Sequence, residues 1–202
     1  MPQEITSNFH FNRDSCIFLI GGFGGTGIPM KLINMLANSN SKNHTIVTND
    51  TGTKKSGIYP LLKNGKVSKL ICSFVGQNRD AEAYLSDVDL IFLPQGSLAE
   101  SLRVGASKIE RFYEIILDKK CRTESIYADY SLVKASKADI YGNLYFEGTN
   151  RNFNPVMLMA GKETLIEVED YPVTLKLYER MMPGIYVDFI IKNKNKTSPK
   201  SR

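Results

Sequence analysis

With 202 residues, 42% of them hydrophobic and 23% charged, the chain suffices for one large domain, and no run reaches the roughly 18 apolar residues a membrane span needs. The opening MPQEITSNFHFNRD lacks the basic-then-apolar layout of a secretory signal, so a cytoplasmic protein with no membrane partner is expected. The net charge of +5 is matched by Lys192, Lys194, Lys196, Lys200 and Arg202 of the C-terminal tail, so the body is balanced and no nucleic-acid partner is expected.

In chain order, CIFLIG (Cys16 to Gly21) reads as a buried strand ending in glycines. Pro29 suits the first turn of a helix, and Met30 to Ala37 carries apolar residues at helical spacing. HTIVT (His44 to Thr48), KLICSFVG (Lys69 to Gly76) and VDLIFLP (Val88 to Pro94) read as further strands. Ile109, Phe112, Tyr113 and Ile116 fall at i, i+3, i+4 and i+7 and predict a helix. DYSLVKAS, NLYF, TLIEVE and GIYVDFII read as strands, with turns at Tyr141-Gly142-Asn143 and Pro183-Gly184. Apolar strands separated by helical segments imply an α/β domain with a largely parallel sheet covered on both faces.

In such a sheet, ligands bind beyond the carboxyl ends of the strands. Those ends supply GGFGG, Asn49 and Asp50, Gly76 and Gln77, and Gln95 and Gly96. They offer backbone amides and neutral side-chain amides, suited to holding an oxygen or a carboxylate. Cys16, Cys72 and Cys121 show no CxxC spacing, and His10 and His44 are the only histidines, so no metal site is expected. Gly22, Gly24 and Gly27 spell GxGxxG after a strand and before a helix, with Asp50 further on, which is dinucleotide-site spacing. A tight packing turn accounts for the same glycines.

DSCIFLIGGFGGTGIP (Asp14 to Pro29) resembles the signature of the alpha subunit of family I coenzyme A transferases, with Gly21-Gly22-Phe23, Gly27 and Pro29 in place and Ser15 departing from the family's Gly or Asn. Thr48-Asn49-Asp50 falls where the family has an Asn-Asn pair. LPQGSLAE (Leu93 to Glu100) is similar to TPQGTLAE, and KASKADIYGNL (Lys134 to Leu144) to KAWKADxxGNL. RNFNP (Arg151 to Pro155) and PGIYVD (Pro183 to Asp188) also match, so the resemblance runs over roughly residues 14 to 190.

The resemblance implies a three-layer α/β/α CoA-transferase-like fold in residues 13–191, between an N-terminal extension, 1–12, and a basic tail, 192–202. It implies transfer of CoA between an acyl-CoA (3-oxoacyl-CoA, succinyl-CoA or acetyl-CoA) and a free carboxylic acid through a glutamyl-CoA intermediate. It implies a CoA thioester as the substrate and no permanently bound cofactor. The nucleophilic glutamate lies in a Ser-Glu-Asn-Gly sequence of a beta partner; this chain has no such sequence. The chain is therefore expected to be inactive alone and to work in a hetero-oligomer such as α2β2. Gln95 is assigned to oxyanion stabilisation. Gly21, Gly22, Phe23, Gly24, Asn49, Asp50, Gly96, Arg151, Asn152 and Asn154 are assigned to the substrate and CoA site, with a bracing role for RNFNP through Asn152 and Asn154.

Two departures bear on the chemistry. Asp50 replaces an Asn, and a carboxylate beside an attacking glutamate would weaken it, so Asp50 either turns away or alters the site. After Gly105 the family continues with GGAGIPAF and a Gly-rich loop that this chain lacks. The alternative is therefore a diverged acyl-CoA hydrolase or decarboxylase, and a more distant one an NAD-binding Rossmann-type protein.

Overall fold

The computed structural model describes residues 1–6, 9–76, 78–116 and 119–193. In chain order the elements are β1 (Gln3–Glu4), β2 (Ile17–Ile20), α1 (Met30–Ala37), β3 (His44–Thr48), α2 (Tyr59–Lys63), β4 (Val67–Cys72), α3 (Arg79–Glu82), β5 (Asp89–Phe92), α4 (Gln95–Ala106), β6 (Arg111–Ile116), β7 (Lys119–Glu124), β8 (Ala128–Ala138), β9 (Leu144–Tyr145), α5 (Asn154–Met159), β10 (Gly161–Asp170) and β11 (Phe189–Lys192). Among the described residues one sheet runs β1-β11-β10-β8-β2-β3-β4-β5, with β9 added to β8. Every pairing in it is parallel except that of β8 with β9.

Parallel strands buried on both faces need apolar side chains both up and down. One face packs Phe18, Ile20, Ile46, Leu70 and Cys72 against Leu32, Ile33 and Leu36 of α1 and Leu61 and Leu62 of α2. The other packs Leu19, Val47, Val133 and Ile166 against Leu98 and Leu102 of α4 and Met157 and Leu158 of α5. This is the expected three-layer arrangement. Residues from the N-terminal stretch contribute to it: Gln3 and Glu4 pair with β11, and Phe11 sits in the core edge-on to Phe18 and Tyr130.

The register of β3 on β4 breaks once. His44 pairs with Val67 but Thr45 with Lys69, so Ser68 is passed over. From there the ladder is regular, through Val47 opposite Ile71 to an isolated bridge of Asp50 with Phe74.

Three expectations change. The helix over Ile109–Ile116 is instead β6, paired antiparallel with β7 in a separate hairpin. RFYEII suits a strand as well as a helix, and pairing with a distant segment decides between the two periods. The strand expected over Lys69–Gly76 ends at Cys72. GIYVDFII opens with a 3-10 turn at Gly184–Tyr186 and becomes strand only from Phe189. Lys192 belongs to β11; the basic tail beyond Asn193, and Gln77, lie outside the described residues.

Candidate functional site

At the carboxyl edge of the sheet, Phe23, Asn49, Asp50, Ser73, Phe74 and Gln95 line a cleft of about 320 Å³. Each side chain follows a strand: Phe23 after β2, Asn49 and Asp50 after β3, Ser73 and Phe74 after β4, Gln95 after β5 at the start of α4. Asn49 is almost fully buried at 3% exposure, while Phe23 and Phe74 stand half-exposed at the rim.

The polar groups form a chain. Gln95 Nε2 donates to Asn49 Oδ1 at 2.9 Å, and Asn49 Nδ2 donates to Asp50 Oδ2 at 2.7 Å. The same Asp50 oxygen accepts from the backbone N–H of Gly24 at 2.8 Å, and Asp50 Oδ1 accepts from that of Gly52 at 2.7 Å. Asp50 is thus a clasp holding the glycine loop to the end of β3, its two oxygens taken by three donors. Ser73 Oγ is buried and finds no partner among the described residues, a state that calls for a water, an ion or another polar group beside it.

The remaining sequence-assigned residues sort into floor, brace and surface. Gly21 lies against Asn154, where a Cβ would stand 2.0 Å from Asn154 Oδ1. Gly22 has φ +119°, a conformation open to glycine and costly to other residues. Asn154 is fully buried; its Nδ2 donates to the carbonyls of Gly27 and Asn150, and its Oδ1 accepts from Lys134 N. Asn152 Nδ2 donates to the carbonyl of Thr26. These two asparagines brace the glycine loop from behind and lie outside the cleft lining. Gly96 sits in the exposed first turn of α4. Arg151 is exposed in a 3-10 turn, also outside the lining. Ser73 and Phe74 carry no motif of their own, and KLICSFVG reads as strand straight through them.

The geometry does not suit a dinucleotide. The N–H of Lys31 in the first turn of α1, where a pyrophosphate would sit, donates instead to Glu167 Oε2 at 2.7 Å, and a carboxylate there opposes a phosphate. The space enclosed by Gly21, Gly22, Ile28, Thr48 and Gly52 is only about 10 Å³. Nor do the buried cysteines offer a nucleophile: burial pushes the Cys72 thiol up to about 11, and it raises Cys16 as well. Among the described residues no cluster of three or more His, Cys, Asp or Glu side chains is placed to hold a metal ion, and no helix is long and apolar enough to cross a membrane.

The model of the family described as Coenzyme A transferase matches residues 11–114 and 122–193. The chain belongs to that family. It is 35% identical over 202 residues to the acetoacetyl-CoA:acetate/butyrate CoA transferase alpha subunit of Clostridium acetobutylicum, covering 90% of this chain and 93% of that one. It is 32% identical over 201 residues to the alpha chain of the acetate CoA-transferase of Escherichia coli K12, covering 90% and 91%. Among solved structures, the fold is similar to that of an acyl-CoA transferase from Escherichia coli O157:H7 in a thioester complex with CoA. The TM-score is 0.82 at 18% identity, over 99% of this chain and 49% of that one, so this CoA transferase family member spans about half that protein's length.

Proposed function

We propose that the chain is the alpha subunit of a heteromeric CoA transferase that moves CoA between an acyl-CoA and a free carboxylic acid, with the nucleophilic glutamate supplied by a beta partner. The observation that carries this reading is the Gln95 amide, fixed by Asn49 at the mouth of a cleft whose one carboxylate is already engaged. An amide NH2 has two donors. Asn49 takes one, and the other is available to the oxygen of a thioester as negative charge develops on it. The unpartnered Ser73 hydroxyl adds a second donor on the same floor. Asp50, whose carboxylate is held by Gly24, Asn49 and Gly52, serves the loop and leaves the attack to the partner's glutamate. In this reading the pair works in the cytoplasm on acyl-CoA of ketone-body or fatty-acid metabolism, in an assembly such as α2β2.

The test is CoA transfer from acetoacetyl-CoA to acetate, followed with the purified chain and then with its beta partner added. The chain alone should be silent and the pair active. Turnover by the chain alone would overturn the two-subunit reading. The shortened stretch after Gly105 favours one competing reading, acyl-CoA hydrolysis; CoA release by the pair without any acceptor acid would establish it.

A further inference from the structure

A cavity of about 590 Å³ lies under α4, on the face of the sheet that carries the cleft residues. Strand pairing sets its floor. Paired residues of parallel strands share a face, and alternate residues repeat it. The row Gly21, Asn49, Ser73 and Leu93 stands at the carboxyl edge, in the frame set by the pairings of β2 with β3, β3 with β4 and β4 with β5. Two residues inward, Leu19, Val47, Ile71 and Ile91 form the next row, and Ile17, Thr45, Lys69 and Asp89 the one after. Of these, Val47, Ile71 and Ile91, with Leu93 on one side and Ile17 and Thr45 on the other, line the cavity. Asn49 and Ser73 of the cleft thus neighbour the apolar Val47 and Ile71 of the cavity on one face of the sheet.

The roof holds the space open. Ser97 and Ser101, one helical turn apart on α4, both line the cavity. Ser101 is fully buried, and its hydroxyl has no partner among the described residues. The side wall, through Ile126, is pinned to the same helix: Ile126 N donates to the Ser101 carbonyl at 2.9 Å. Gly105 lets that backbone approach, since a Cβ there would stand 1.9 Å from Ile126 O.

We infer that this cavity is an acyl-chain channel, which takes the hydrocarbon tail of an unbranched medium-chain acyl group while its thioester carbonyl stays at Gln95 and Ser73. The inference rests on the transferase reading and specifies its substrate class. The four residue steps from Thr45 to Asn49 span about 13 Å at roughly 3.3 Å each. That length accommodates an extended chain of roughly eight to ten carbons with bonds of about 1.5 Å. The volume lies in the range of small-molecule sites. The charged residue of the lining, Glu124, is exposed and pairs with Arg111 at 3.3 Å. Among the described residues no lysine or arginine lines the cavity, and Lys69, level with Thr45 on the same face, is already paired with Asp89 at 2.9 Å. The far carboxylate of a dicarboxylic acyl group finds no uncommitted cation there and is a poor fit.

Two measurements separate this inference from the transferase reading. The first is binding of a fluorescent fatty acid, cis-parinaric acid, to the full chain, with displacement by straight-chain acids. Affinity should rise about threefold to fourfold per added methylene from butanoate to octanoate. Ser101→Phe should abolish the binding and Ser101→Ala should retain it. Ile71→Phe, which fills the channel from the opposite wall, serves where Ser101→Phe does not fold. The second is kcat/KM of the chain with its beta partner on octanoyl-CoA and acetyl-CoA. The filling variants should lose octanoyl transfer at least about tenfold and keep acetyl transfer within about twofold. Fatty-acid binding without any CoA transfer would keep the channel and remove the transferase reading. Acetyl transfer with no saturable fatty-acid binding would overturn the channel alone. Binding by the chain that vanishes in the complex would assign the cavity to a segment of the partner and overturn it too.

Discussion

Gln95 and Asn49, 46 positions apart in the chain, meet side chain to side chain at 2.9 Å where β3 and α4 converge. The pairing fixes the Gln95 amide without using both of its donors, which is the condition an oxyanion donor must meet. Gln95→Ala in the assembled enzyme should lower kcat by about 10²-fold or more, with little change in thermal stability because Gln95 is exposed. Asn49→Ala should lower kcat through Gln95, so the double variant should be no worse than Gln95→Ala. Additive losses in kcat would separate the two residues.

The Asp50 clasp makes a stability prediction. Asp50→Ala leaves the N–H groups of Gly24 and Gly52 without their carboxylate. The expected cost is about 2 kcal/mol, within the range for unsatisfied donors. Asp50→Asn keeps one oxygen but turns an NH2 toward an amide donor, so an intermediate cost is expected. Urea denaturation of wild type, Asn and Ala proteins should show midpoints falling in that order at constant m; equal midpoints would remove the clasp.

Asn154 ties the glycine loop to β8 through one side chain. Asn154→Ala strips the partner from Lys134 N and from the carbonyls of Gly27 and Asn150. A loss of about 3 kcal/mol is expected for several buried groups left unpaired. Gly21→Ala should be costly for a related reason, because its Cβ would collide with Asn154 Oδ1 at 2.0 Å. Thermal melts that show either variant as stable as the wild type would contradict the brace.

His44 supplies a pH dependence. Its ring is fully buried against Phe18, with Nε2 paired to Ser41 Oγ and Nδ1 unpartnered among the described residues. Burial lowers its pKa below the ordinary 6.5. The unfolded chain therefore takes up the proton first, so this contribution to stability is whole above pH 6.5 and drains away as pH falls below it. His44→Phe, which keeps the aromatic packing, should flatten the dependence of the urea midpoint on pH between about 7 and 4.5. An unchanged slope would place the acid sensitivity elsewhere.

The sequence shows the local elements well where one period dominates. HTIVT and Met30 to Ala37 match β3 and α1 in both type and extent. Residues 109 to 116 follow the helical period, while Phe112, Tyr113, Ile115 and Ile116 are also residue types that suit a strand, and the pairing of Arg111–Ile116 with Lys119–Glu124 settles the matter. The site is legible as a set of strand ends and motifs, and these name Gln95 and Asn49. Their mutual contact is not legible, because it depends on how far β3 and β5 stand apart across β4. Ser73 and Phe74 owe their place to where β4 stops. The partners of Asp50 include backbone amides of Gly24 and Gly52, which the residue letters do not display.

The passed-over residue Ser68 lets the two ends of β4 answer to different demands. Val67 lies in the same core as Leu70 and Cys72, although strict alternation over three residues would turn it to the opposite face. The extra residue absorbs that half-step. Had the ladder run on unbroken from His44 opposite Val67, Lys69 would stand level with Ile46 in the core, and Cys72 level with Asn49. A thiol would then occupy the place of the Ser73 hydroxyl at the cleft floor. The irregularity at the entry edge thus keeps a lysine out of the interior and a hydroxyl in the cleft, and it isolates the floor from changes upstream. Trimming the strand at Ser68 would straighten its beginning and leave Ser73 beside Asn49.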